Sequence, residues 1–228
     1  MFLNRTKSIA IDGPSGAGKS TLARMIAEKL GFIYVDTGAI YRAVGLCAFD
    51  NGVDRSDAQG VIRLLDQIKI EIGHGKDGMQ RVILNGKDVS ERIRLPEISL
   101  YASDVSKIPE VRTFLLDMQR ELADRYDVIM DGRDIGTVVL PNADVKIFLT
   151  ATAEDRSGRR LAELKAKGID ASFEEVFRDI KYRDENDSKR SVAPLKPAPD
   201  AVILDTTGNS LEKSFAILLE LVKERLEK

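Results

Sequence analysis

The residues Gly13-Pro14-Ser15-Gly16-Ala17-Gly18-Lys19-Ser20, with Thr21 behind them, have the types and spacing of a loop that wraps phosphate groups. The glycines leave no side chain between backbone N–H groups and a phosphate. A helix that starts at such a loop opens with N–H groups lacking acceptors and a partial positive charge. Lys19 can reach the β and γ phosphates of a nucleotide, and the Ser20 hydroxyl can bind Mg²⁺. The chemistry implied is phosphoryl transfer from ATP by a P-loop kinase. A GTPase would carry Asn-Lys-x-Asp to read its base, and the sequence has none. Asp205-Thr206-Thr207-Gly208 lies too late in the chain for a GTPase switch loop. It reads as a turn at a strand end, near the adenine.

A second set of residues could hold the acceptor. Asp36-Thr37-Gly38-Ala39-Ile40-Tyr41-Arg42 and Asp131-Gly132-Arg133-Asp134 each follow an expected strand. In an open parallel sheet such strand ends face the ligand. Thr37 can cap the next helix and donate to a ligand. Ser20, Asp36 and Asp131 are the candidate Mg²⁺ ligands, because hard cations take carboxylate and hydroxyl oxygens. Each aspartate has a second reading as a plain helix cap. Arg156, Arg159 and Arg160 recur at helical spacing, and Arg183, Asp187 and Arg190 follow. They read either as a solvated face with i,i+4 pairs or as a lid whose guanidinium groups close over phosphates. A phosphate acceptor is already anionic near neutral pH and needs no general base. Arginines without histidine in these motifs favour that acceptor over an alcohol. Catalysis would then rest on positioning and charge neutralisation.

The elements that must position these residues follow from hydrophobic periodicity. Strands are expected at 7–12, 32–35, 128–131, 145–149 and 201–205. Helices are expected at 20–30, 39–49, 111–126, 153–167, 173–187 and 211–226. Gly31 is the expected stop of the first helix. The expected fold is α/β, a doubly wound five-stranded parallel sheet. Residues 55–103 interrupt the alternation with a helix at 56–66 and strands at 68–72 and 81–84. The β pattern continues across Asn85-Gly86 to Val89. They read as a small α+β insert in a core formed by 1–54 and 104–228, with a short helical lid at about 153–190. Gly73-His74-Gly75-Lys76-Asp77-Gly78 reads as a turn.

Composition narrows the class. The chain has 228 residues, 43% of them hydrophobic, and a net charge of −2, which argues against a nucleic-acid binder. The only cysteine, Cys47, excludes an intrachain disulfide and fits a reducing compartment. The only histidine, His74, has no triad or metal partners nearby in sequence. No run approaches the roughly 20 apolar residues of a membrane span, and residues 1–7 show no signal-peptide pattern. A cytoplasmic monomer with small-molecule partners is expected.

The segments IAIDGPSGAGKSTLARMIAEKLGFIYVDTGAIYR (residues 9–42), DGRDIGTVV (131–139), residues 146–149 and RSVAPL (190–195) closely resemble bacterial cytidylate kinases. The resemblance covers nearly the whole chain. It implies transfer of the γ-phosphoryl group of ATP to CMP or dCMP, with Mg²⁺ as cofactor. Residues 55–103 would be the family's extended monophosphate-binding domain. By matching positions, Ser103, Arg112 and Asp134 would hold cytosine, and Arg183 and Asp187 would lie near the ribose. Arg42, Arg133 and Arg190 would hold the acceptor phosphate, and Arg159 and Arg160 match the lid arginines. Asp36, Thr37 and Tyr41 belong to the same substrate set. Thr37 stands where serine is common, which keeps the hydroxyl and adds a methyl group. Glu185, Ser188 and Lys189 depart from an arginine- and aspartate-rich pattern. An adenylate- or shikimate-type kinase and a non-catalytic nucleotide-binding regulator are the rival readings. Acceptor specificity and turnover discriminate among them.

Overall fold

A computed structural model describes residues 5–75 and 80–227. The chain forms β1 (Ser8–Asp12), α1 (Lys19–Leu30), β2 (Ile33–Asp36), α2 (Thr37–Asp50), α3 (Ala58–Leu65), β3 (Ile70–His74), β4 (Gln80–Leu84) and β5 (Lys87–Asp88). It continues through α4 (Pro96–Val105), α5 (Pro109–Arg125), β6 (Val128–Gly132), β7 (Val145–Thr150), α6 (Ala153–Ala166), α7 (Phe173–Ser188), β8 (Val202–Asp205) and α8 (Leu211–Leu226). Two compact units result, one of Met1–Tyr34 with Ala123–Lys228 and the other Val35–Leu122.

The first unit carries the five-stranded sheet, in the order β2-β6-β1-β7-β8. β1 pairs in parallel with β6 on one side and β7 on the other, and β7 pairs in parallel with β8. The winding therefore reverses at β1, the position where ligands bind beyond the strand ends in such sheets. Ile9, Ile11, Val145, Ile147 and Leu149 share a buried cluster with α1 and α8. The period of two in a strand puts these residues on one face. Gly31 ends α1 in the left-handed conformation, as the sequence predicts. Gly13, directly after β1, has φ +148°, and a Cβ there would lie 1.9 Å from the Leu149 carbonyl oxygen. Only glycine lets the loop leave β1 so close to β7.

One feature of this unit escaped the periodicity argument. After β6 the chain makes a single wide helical turn, Ile135–Val139. The N–H groups of Val139 and Leu140 reach back five residues, to the carbonyls of Asp134 (3.2 Å) and Ile135 (2.7 Å). Such π-type turns recur at functional sites.

The second unit is built on α2, which is buried along most of its length and packs against α4. Helix α4 was not expected from sequence. Its buried positions, Ile98, Ser103 and Val105, are too few to give a clear apolar period. β3, β4 and β5 form an antiparallel sheet. Asn85 and Gly86, with φ 49° and 79°, make the tight turn between β4 and β5. The expected turn at 73–78 falls partly on residues 76–79, outside the described residues; His74 ends β3. Residues 55–103 lie inside this unit. The unit also takes in α2 and most of α5, because Ala43, Val44, Leu46, Ile98, Val105, Val111 and Leu115 belong to one apolar cluster.

Gly45 is where α2 and α4 meet most closely. A Cβ at Gly45 would stand 2.9 Å from the Tyr101 Cβ and 3.1 Å from the Ala102 backbone nitrogen. Alanine is the better helix former by about 1 kcal/mol, but the overlap forces the helices apart. Gly45→Ala is expected to destabilise the protein by about 1–3 kcal/mol in denaturant unfolding. A variant as stable as the parent would refute this close crossing.

Candidate active site

In the first unit the phosphate loop leads into α1 with Gly18 at the cap, left-handed at φ 87° and without a side chain to accept from the first N–H groups. Those donors are left for a phosphate. The loop carbonyls point the other way and meet cations. Lys19 Nζ donates to the Pro14 carbonyl (2.8 Å), and Arg156 Nη1 to that of Ser15 (2.8 Å). Thr21 lies in the first turn of α1. Ser20 Oγ donates to Asp131 Oδ2 (2.8 Å), and the Tyr34 hydroxyl donates to Asp131 Oδ1 (2.8 Å). Asp131 is therefore no helix cap. It is a buried carboxylate beside a hydroxyl, the hard-oxygen donor set that Mg²⁺ takes.

The segment after β6 joins the end of α7. Arg133 Nε donates to Asp187 Oδ2 at 2.6 Å, and Asp187 is 5% exposed. Burial pushes the Asp187 carboxyl upward, but the positive charges of Arg133, Arg190 and Arg183 outweigh it and hold its pKa below the usual range. Burial likewise lowers that of Arg133, and Asp187, Asp131 and Asp184 more than reverse this. Lys19 is the opposite case. Its burial, reinforced by the Arg133 charge, outweighs Asp131 and Asp187 and brings its pKa down to about 7. Asp134 is buried at the opening of the wide turn.

The lid arginines divide. Arg156 is buried and makes a bidentate pair with Asp184 of α7 (3.0 and 2.7 Å), joining the two helices. Arg159 donates to the Thr206 carbonyl (2.7 Å) and hydroxyl (3.1 Å) and to Asp155. It thus holds the turn after β8 that the sequence places near the adenine. Arg160 pairs with Glu163 on its own helix (3.0 Å) and does not join the others.

The second unit holds the remaining candidates. Asp36 follows its capping reading: Oδ1 accepts from the Ala39 N–H (2.9 Å), and Oδ2 accepts from Arg42 Nη2 (2.7 Å). Both oxygens thus have protein partners, and Asp36 fixes the Arg42 guanidinium. Thr37 is buried at the first position of α2. The Arg112 guanidinium lies 5.5 Å above the Tyr41 ring and donates to the Ser106 carbonyl (3.3 Å). Ser106 Oγ in turn donates to the Ser103 carbonyl (2.9 Å). Tyr41, Ser103 and Arg112 are thereby brought together.

Sequence reasoning missed several supporting residues. Gln80 brackets the Asp36 backbone, accepting from its N–H (2.8 Å) and donating to its carbonyl (3.2 Å). Tyr34 and Asp184 were also unassigned, as was the role of Asp12, a 3% exposed residue described below. An aspartate closing an apolar strand at the head of a phosphate loop was the one available signal. The others sit in unremarkable local sequence.

The low pKa of Lys19 has a measurable consequence. Phosphates beside the ammonium favour its charged form, so ATP binding near pH 7.5 must draw a proton from solution. Calorimetric titrations with magnesium-bound ATP in buffers of differing ionisation enthalpy should show uptake of about half a proton or more. The uptake should fade below pH 6, where Lys19 is already protonated. It should vanish in Lys19→Ala. Buffer-independent heats at pH 7.5 would contradict the assignment.

Comparison with known proteins identifies the family. The family described as cytidylate kinase matches residues 9–224. The chain is 54% identical over 214 residues to a cytidylate kinase of Caldicellulosiruptor bescii, covering 94% of each chain. It is 51% identical over 214 residues to one of Carboxydothermus hydrogenoformans, covering 94% of this chain and 96% of that one. The crystal structure of an uncharacterized protein from Eubacterium ventriosum matches with a TM-score of 0.52 at 11% identity, over 96% of this chain and 99% of that chain. That likeness concerns the fold alone. The phosphate loop, the Ser20–Asp131 pair and a family match running almost from end to end lead to one conclusion: the chain belongs to the cytidylate kinase family.

Proposed function

We infer that the protein catalyses ATP-dependent phosphorylation of CMP to CDP, with dCMP as a second acceptor. The observation that carries this reading is the half-identity to cytidylate kinases over nearly the whole chain. The phosphate loop with buried Lys19 supports it independently. Lys19 and the N–H groups opening α1 hold the ATP phosphates. Ser20 and Asp131 would hold Mg²⁺, which when bound neutralises charge on the transferring phosphates. The acceptor phosphate of CMP is already ionised and is held by Arg42, Arg133 and Arg190. Ser103, Arg112 and Asp134 read the cytosine, and Asp187 and Arg183 lie at the ribose. Arg159 and Arg160 act from the lid, where closure excludes water and suppresses hydrolysis of ATP. Among the described residues no helix is long and apolar enough to cross a membrane. Action as a cytoplasmic monomer is part of this proposal.

An ADP-release assay against CMP, dCMP, UMP, AMP, GMP and shikimate tests the reading. Rapid turnover is expected with CMP and dCMP, little with UMP and none with the rest. Turnover only with another acceptor would discard the substrate assignment and keep the kinase. Lys19→Ala should lower kcat by at least about a hundredfold with the fold intact, and near-normal turnover would sink the phosphate-loop assignment.

Asp187 is tested separately. Asp187→Ala should change the ratio of kcat/KM for CMP to that for dCMP by about tenfold, with ATP affinity much less affected. An unchanged ratio would remove Asp187 from the ribose.

A further inference from the structure

A helical turn that opens with aspartate is ordinarily capped by that aspartate. The Ile135–Val139 turn is not. Asp134 stands at its cap position with φ −148° and ψ 26°, and its side chain accepts none of the turn's first N–H groups. The acceptor comes from another strand. Asp12 Oδ1 accepts from the Ile135 N–H (2.7 Å), and Oδ2 accepts from the Gly136 N–H (2.8 Å). All the groups involved are buried: Asp12 is 3% exposed, Asp134 4% and Ile135 1%. No water can replace the carboxylate without rearrangement. The turn is also backed by the Lys146 stem, since a Cβ on Gly136 would lie 3.2 Å from Lys146 Cδ.

We propose that Asp12 is a positioning residue for the phosphoryl acceptor: by capping the Ile135–Val139 turn from the adjacent strand, it holds Asp134 in place and keeps the Asp134 carboxylate off its own turn. The proposal rests on the assignment of Asp134 to CMP. Two buried N–H groups must be satisfied. If Asp12 is removed, Asp134 at the cap position is the nearest carboxylate in sequence that can take the Gly136 N–H, and doing so would move it from its present position. Burial, opposed by these two N–H groups, raises the Asp12 pKa from 3.8 to about 6. At neutral pH the group is therefore a carboxylate with two buried donors as its direct partners.

The test is a set of steady-state kinetic measurements on Asp12→Asn, Asp134→Asn and the double variant. Asp12→Asn keeps the shape and one acceptor oxygen but turns an amide N–H₂ toward a donor. The expected result is a rise of about tenfold in KM for CMP. The Kd for ATP, measured without CMP, should stay within about twofold, which separates acceptor positioning from damage to the phosphate loop. Because the effect runs through Asp134, adding Asp12→Asn to Asp134→Asn should raise KM for CMP hardly further. Penalties that multiply, or equal losses for ATP and CMP, would overturn the proposal. An Asp134→Asn variant with normal KM for CMP would instead refute the acceptor assignment on which it rests. Should Asp12→Asn not fold, Asp12→Ser retains one acceptor oxygen and takes its place. The parent protein supplies a measurement that needs no variant. A cap that favours CMP binding must be strengthened by CMP, so hydrogen exchange of the Ile135 and Gly136 amides should slow when CMP is added. Unchanged exchange at saturating CMP would also overturn the proposal.

Discussion

A buried positive charge is tolerated only with a partner, and the first unit buries Lys19, Arg156 and Arg190. The Arg156–Asp184 pair is the one on which the rest depends. It ties α6 to α7 through two hydrogen bonds, and the same guanidinium holds the Ser15 carbonyl of the phosphate loop. The Asp184 side chain keeps 26% of its surface exposed, so breaking the pair costs less than for a fully buried one. The loop, the lid helices and the arginines on α7 are therefore parts of one electrostatic arrangement. Turning loop carbonyls toward cations also turns loop N–H groups toward the ligand, which is what a phosphate requires.

The same arrangement explains the perturbed groups. Lys19, Arg133 and Arg183 share the field of the carboxylates Asp131 and Asp187, and Arg190 also bears on Asp187. Asp187 is held ionised by its neighbours, while Lys19, buried and facing Arg133, gives up part of its charge. An anionic ligand favours the charged form of Lys19, so binding energy and proton binding are linked at this lysine. In the second unit the logic is local. Asp36 balances Arg42 at 2.7 Å while capping α2, so the guanidinium is oriented before any substrate arrives. Preorganisation of this kind reduces the entropy lost when a ligand binds.

The strands of the sheet and the helices α1, α7 and α8 were legible because their apolar spacing is regular and their ends carry glycine or polar caps. The phosphate loop was legible because its chemistry requires glycine, lysine and serine at fixed spacing. Helix α4 was not, since α2 and α5 supply most of the apolar surface around it. The width of the second unit was hidden for the same reason: α2 follows β2 immediately, and its partners come later in the chain. Asp36 and Asp131 show the limit within the candidate site. Both end strands, both carry the same two readings, and only the structure distinguishes the cap on α2 from the carboxylate beside Ser20.

Asp12 and Asp134 carry this point furthest. From sequence, Asp134 is matched to the cytosine site, and Asp12 has no evident task. The structure gives Asp12 one, because parallel pairing sets Ile11 and Asp12 beside Asp131 and Gly132. That register brings the end of β1 next to the segment leaving β6. A cap supplied across the sheet costs nothing in local propensity and removes the need for Asp134 to do the work. Hydrogen bonds between residues more than a hundred positions apart leave no periodic trace in a chain. Residues that position others are therefore harder to read from sequence than those that bind phosphate.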